Sequence, residues 1–74
     1  MNMAKIYQDC DGNDCTIHQI VKREPSWAAS RIRIGEEALA ILEAIKRWDI
    51  ETYVSTGKYA LPVELRSRVQ NHLQ

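Results

Sequence analysis

The chain has 74 residues, 45% of them hydrophobic, and its ten basic side chains balance ten acidic ones. That is apolar surface enough for one folded domain over residues 1–74, and a neutral balance gives no bulk attraction to nucleic acid or membrane. A chain this short buries only about 60% of its unfolded surface and leaves little room beside its core for a substrate pocket, which argues against an enzyme.

Residues 1–14 read as the turn-rich, least helical part. Ala4 to Gln8 has the character of a short strand, and Asp11-Gly12-Asn13-Asp14 is a turn by composition, because Gly and Asn tolerate positive φ. A hairpin pairing Ile6-Tyr7 with Thr16-Ile17 competes there with a stronger local signal. Thr16-Ile17-His18-Gln19 has the form of a capping box, which opens a short helix over about residues 16–23 with Ile17, Ile20 and Val21 on one side. Pro25 then punctuates: it suits a first turn and not a helix interior, so one helix ends near Arg23 or Glu24 and the next starts near Pro25 or Ser26.

The strongest pattern in the chain follows. Trp27, Ile34, Ile41 and Trp48 recur every seventh residue, and Arg31, Ala38 and Ile45 fall between them, which puts all seven on one helical face. The spacing predicts a long central helix over residues 25–48. Gly35 costs about 1 kcal/mol against Ala in such a helix and either permits close approach of a neighbour or marks a kink. The stripe, flanked by Ile32, Leu39 and Leu42, looks wider than the short helices of one chain can cover. Ile34, Ala38, Ile41 and Ile45 are therefore the expected interface of a homo-oligomer. Charge supports the same idea: basic Lys22, Arg23, Arg31 and Arg33 precede acidic Glu36, Glu37, Glu43, Asp49 and Glu51, so antiparallel copies would pair unlike ends.

Asp49 is placed to cap a third helix over about residues 50–56, with Ile50, Tyr53 and Val54 inward and Gly57 as its terminator. Pro62 opens a fourth helix to about His72, with Leu65, Val69 and Leu73 on its inner face. The expected fold class is all-α: a small domain of three or four helices around the long central one, with or without an N-terminal strand or hairpin.

Few constellations point to chemistry. Cys10, Cys15 and His18 are zinc-type donors but lack a clear fourth ligand, so neither a metal nor another cofactor is expected. Asp9, Asp11, Asn13 and Asp14 do not make a calcium loop: counting from Asp9, the sixth position is Asp14 and the twelfth Ile20. A solvated acidic turn is the expectation. Neither histidine has a nucleophile and acid at a spacing that suggests catalysis. The run TIHQIVKREPSWAASRIRI has the outline of a helix-turn-helix with basic residues early in its second helix, as phosphate contact needs. Glu24-Pro25 in the turn and apolar Trp27, Ala28 and Ile32 in the second helix count against it. Trp27, Arg31, Arg33, Tyr53 and Tyr59 are the candidate partner-binding anchors, because Trp, Tyr and Arg dominate interface energetics. No apolar run reaches the roughly 18 residues of a membrane span. Lys5 and acidic Asp9 to Asp14 speak against a secretory leader, so a bacterial or other cytoplasm is the expected location.

Asp14 to Leu42 resembles a segment found in small accessory proteins of tailed bacteriophages and prophages. The resemblance rests on Cys15, Arg23, Glu24, Pro25, Trp27, Ala28, Ala29, Arg31 and Ile32, and Leu61 to Val69 is similar to tails that recur in such proteins. It implies a viral or prophage protein of the bacterial host cytoplasm, of a kind that commonly binds and occludes a host protein or protein complex, as inhibitors of host defence do. A DNA-binding regulator and a structural part of phage assembly are the other two readings.

Overall fold

Thr16 resolves the competition between hairpin and helix by serving both. The computed structural model describes residues 5–33 and 37–74, with the backbone alone of Arg33. In it, strand β1 (Ile6–Gln8) pairs antiparallel with β2 (Asp14–Thr16), in the register Ile6 to Thr16, Tyr7 to Cys15 and Gln8 to Asp14. Thr16 closes the strand in extended backbone (φ −74°, ψ 162°) and there caps helix α1 (Ile17–Arg23). Its hydroxyl accepts from Gln19 N–H at 3.3 Å, and the Gln19 side chain accepts from Thr16 N–H at 2.8 Å. Gly12 takes the positive φ of the turn, at 85°.

Helix α2 (Pro25–Ser30) follows after Glu24 alone, with Pro25 in its first turn. The helix predicted over residues 25–48 is not one helix. It stops at Ser30, whose hydroxyl donates to Trp27 O at 2.6 Å, and a 3-10 turn takes Arg31–Arg33. The Arg31 N–H points to both Ala28 O and Ala29 O, the tightening typical of a helix end. Buried Ala28, Ala29 and Ile32 lie on this segment. A seven-residue repeat fixes which face is apolar, not that the backbone runs on, so two short elements satisfy it as well as one long helix. Ile34, Gly35 and Glu36, and with them the Gly35 kink, lie outside the described residues.

Helix α3 (Ala38–Thr56) is the axis of the fold. It absorbs the separate third helix expected after Asp49 and ends at Gly57 in the left-handed region, φ 78°, as foreseen. Helix α4 (Val63–Leu73) returns along it after a short connection. The α1 and α2 helices, the 3-10 turn and α4 all pack on α3. Ile20, Val21, Ile41 and Ile45 are fully buried, joined by Ile32, Leu42, Leu61 and Val69, with Trp27, Trp48, Leu65 and Leu73 packed around them.

This arrangement corrects the expected oligomer interface. Ile41 and Ile45 lie inside the core of a single chain and offer no surface to a second copy. Ala38 is half-buried, and Ile34 is outside the described residues. The α3 part of the stripe is covered from within the chain, because α1, α2, the 3-10 turn and α4 all pack on α3. No helix among the described residues is long and apolar enough to cross a membrane.

Candidate functional site

The phase of α3 decides which of its side chains reach the surface. Ile41, Ile45, Trp48, Asp49 and Thr52 turn inward or half-inward, so Ile50, Tyr53 and Val54 come out on the opposite face. These three were expected inside. They are exposed because α3 runs through Asp49 without a break and keeps one phase, where a new helix could have reset it. Tyr53 and Tyr59 are exposed to 46% and 45%, Val54 to 78% and Val63 to 65%.

Tyr53 and Tyr59 lie on opposite sides of the Gly57 turn, and the turn brings their rings together. Their centroids are 4.5 Å apart and their planes differ by 18°. The Arg66 guanidinium, from the first turns of α4, sits 4.2 Å from the Tyr59 centroid. Aromatic stacking and cation–π contact contribute about 0.5–1.5 and 0.5–1 kcal/mol at sites of this kind, enough to bias the rotamers without locking them. Arg66 Nε is shielded from solvent and has no acceptor within the described chain.

Asp49 holds the connection that carries Tyr59. It is buried in mid-helix, and its Oδ1 accepts from Ala60 N–H at 3.0 Å and Leu61 N–H at 3.1 Å. Its predicted role as a helix cap is thus replaced by a strap across the turn between α3 and α4. The strap fixes Leu61 in the core and Tyr59 at the surface. Beneath Tyr59 a groove of about 410 Å³ runs between α3 and α4, with Ile45, Leu61 and Val69 in its floor and Lys46, Ile50, Val63 and Arg66 on its walls.

The other anchors form a second, separate pair. Arg31 lies 4.7 Å from the Trp27 ring centroid, while the Trp27 ring itself packs against the core. The Arg33 side chain is not described. Of the five residues singled out in the sequence, the structure therefore joins Tyr53 with Tyr59 and Trp27 with Arg31. Arg66, Lys46 and Asp49 were not singled out as binding or positioning residues. The i,i+4 and i,i+3 spacing of Lys46, Ile50 and Tyr53 on one helix face was the signal that could have found part of the set.

The acidic turn is held by bonds within the chain, and both cysteines are free thiols, Cys10 exposed and Cys15 buried. Asp9 is not solvated: its Oδ1 accepts from Asp11 N–H at 2.9 Å and Asn13 N–H at 2.8 Å, and its Oδ2 pairs with Arg23. The loop wraps its own carboxylate because a buried charge needs such partners. Buried Cys15 lies 3.2 Å from Arg23 Nη2 and 3.8 Å from Asp9 Oδ2. Exposed Cys10 is tied by its N–H to Glu24 Oε2 at 3.3 Å, and the Glu24 carboxylate beside it, with a smaller contribution from desolvation, holds the thiol above its ordinary range. His18 faces Glu51 at 3.3 Å, away from either thiol's partners, and the described residues contain no group of three His, Cys, Asp or Glu side chains that could hold a metal. Tyr7, and after it Glu37, raise the Lys5 ammonium above its usual range, and Lys5 Nζ lies 3.4 Å from Glu37.

Family models, curated proteins and solved structures give no match to this chain.

Proposed function

We propose that this protein is a small binding module that acts by seating a partner protein on the surface formed by Tyr53, Tyr59 and Arg66. The observation that carries the reading is the exposed, pre-stacked tyrosine pair with a guanidinium beside it, next to exposed Ile50, Val54 and Val63. Tyr and Arg are the residue types in which binding energy concentrates, and apolar neighbours exclude water around them. The resemblance to phage accessory proteins supplies the class of target: a host protein complex in the bacterial cytoplasm, whose working surface the module would occlude. No catalytic step is proposed.

A DNA-binding reading fits less well. The helix that would enter the major groove has six residues, and Ala28 and Ala29 in its centre are buried in the core. That leaves too short a polar face for base contact.

Affinity capture from bacterial lysate, followed by titration of the purified partner, tests the proposal. Tyr59→Ala should weaken binding by about ten-fold or more, the scale of an interface hot spot, with the helical content unchanged. A captured partner that binds Tyr59→Ala normally and loses Arg31→Glu would move the site to the Trp27 surface. Salt-sensitive binding to duplex DNA in place of protein would overturn the reading altogether.

A further inference from the structure

The groove between α3 and α4 says what kind of segment fits it. Its walls are two helices whose backbones are internally bonded, and the nearby N–H groups of Ala60 and Leu61 are taken by Asp49. The groove therefore offers an occupant side chains and no ladder of backbone donors and acceptors. An extended peptide laid along this groove would find no sheet edge to pair with and would have to satisfy its N–H and C=O groups on scattered side chains such as Ser67, Gln70 and Asn71. A helix brings its backbone already satisfied.

Charge narrows the choice. Lys46 and Arg66 flank the groove, and neither has a carboxylate within salt-bridge distance among the described residues. Asp49, the acidic residue lining it, spends its Oδ1 on the two backbone donors. The Arg66 fork is held against Tyr59 and its Nε lacks an acceptor, so covering it with purely apolar groups would strand a cation. A second copy is a poorer occupant: the apolar area that α3 and α4 leave exposed, Ile50, Val54 and Val63, lies beside the groove itself and brings the same Lys46 and Arg66 with it.

We infer that the groove receives an acidic amphipathic helix of a partner protein, with apolar side chains on Ile50, Val63 and the floor and carboxylates paired to Lys46 and Arg66. The inference rests on the protein-binding reading above and specifies the partner's chemistry.

Two fluorescein-labelled synthetic peptides test it, each about 18 residues long so that the helix persists in isolation. Both carry leucines at i, i+3, i+4 and i+7, flanked by Glu in one and by Lys in the other. Fluorescence polarisation at low salt should show the acidic peptide binding about ten-fold more tightly, the sum expected of two partly exposed ion pairs. Amide shifts should map it to α3 and α4. Lys46→Glu combined with Arg66→Glu should reverse the preference, and the gain of basic-peptide binding shows that the variant is folded. Equal binding of the two peptides, no binding of either, shifts centred on Trp27 and Arg31, or a dimer of this chain that buries the groove and excludes the acidic peptide would each overturn the inference. A captured partner that depends on Tyr59 while the acidic peptide fails would leave the protein-binding reading standing and remove this one alone.

Discussion

Replacing Asp49 tests whether one buried carboxylate organises both the fold and the binding surface. In Asp49→Ala the N–H groups of Ala60 and Leu61 lose their acceptor. Ala60 is exposed, so water can replace the carboxylate there, whereas Leu61 is buried and its N–H would be stranded. A stranded buried donor costs about 1–3 kcal/mol, and loss of the second, water-replaceable bond adds about 1 kcal/mol, for a total of about 2–4 kcal/mol. Chains of this length have a total stability of about 4–11 kcal/mol, so the loss is a large fraction. Asp49→Asn keeps an acceptor oxygen in the same place and should lose about 1 kcal/mol, the difference between a charged and a neutral acceptor. Urea unfolding followed by circular dichroism measures both, with the slope unchanged if only stability moves. Amide exchange at Leu61 should accelerate in the Ala variant and recover in the Asn variant. Groove binding should follow the same order, because the strap positions Tyr59. An Ala variant within about 0.5 kcal/mol of the parent, the ordinary scatter of surface substitutions, would refute the strap.

Two further outcomes follow from the core and the hairpin. Ile45→Ala should destabilise the chain by about 2–5 kcal/mol at every protein concentration, since it empties the core of one chain and not a seam between two, while Val54→Ala should cost less than about 0.5 kcal/mol; an Ile45→Ala effect that vanishes on dilution would restore the oligomer interface. The Cys10 thiol is held above its ordinary range through Glu24, so the pH midpoint of its alkylation rate should lie higher than in Glu24→Gln and higher than in the unfolded chain. Because the folded state favours the protonated thiol, the stability linked to this contact is present below the unfolded thiol's pKa and is lost as pH rises through the raised one; a midpoint that Glu24→Gln leaves unmoved would contradict the contact.

The elements whose signals are local were legible in the sequence. Thr16 with Gln19, Pro25, Gly57 and Pro62 mark ends that the structure keeps, because capping and φ restriction act within one turn of chain. The inner face of α4 was legible from Leu65, Val69 and Leu73, because their spacing leaves a single helical phase. The reading failed where tertiary context chooses between locally equal options. The described positions of the heptad from Trp27 to Trp48 fall on two short elements and one long helix, and the spacing by itself does not separate that from a single helix. Asp49 has the chemistry of an N-cap, and in its place became a buried acceptor for residues eleven and twelve positions later. That error reset the phase of Ile50, Tyr53 and Val54 and turned Ile50 and Val54 inward, although Tyr53 and Tyr59 stood among the candidate anchors on residue type alone. Asp9 failed in the same way: its partner Arg23 is fourteen residues on, beyond the reach of turn chemistry.

Two aromatic–arginine pairs reach the surface, and pre-organisation separates them. Binding costs about 0.5–1.5 kcal/mol for each rotamer-rich side chain that must be immobilised. At the α3/α4 surface, Tyr53 and Tyr59 already stack, Arg66 already lies against Tyr59, and Asp49 fixes the connection between them, so much of that cost is met before a partner arrives. The pair at Trp27 is built differently. Its ring is engaged by the core and its guanidinium comes from a 3-10 turn, so a partner there would meet the edge of a side chain whose apolar area is largely spent. The first surface has unspent apolar area in Ile50, Val54 and Val63, a groove beside it and two cations, Lys46 and Arg66, without a salt-bridge partner among the described residues. Those are the conditions under which a small chain with no room for a pocket in its core can still bind tightly, and they are why the proposed binding face is the one on α3 and α4 and not the one at Trp27.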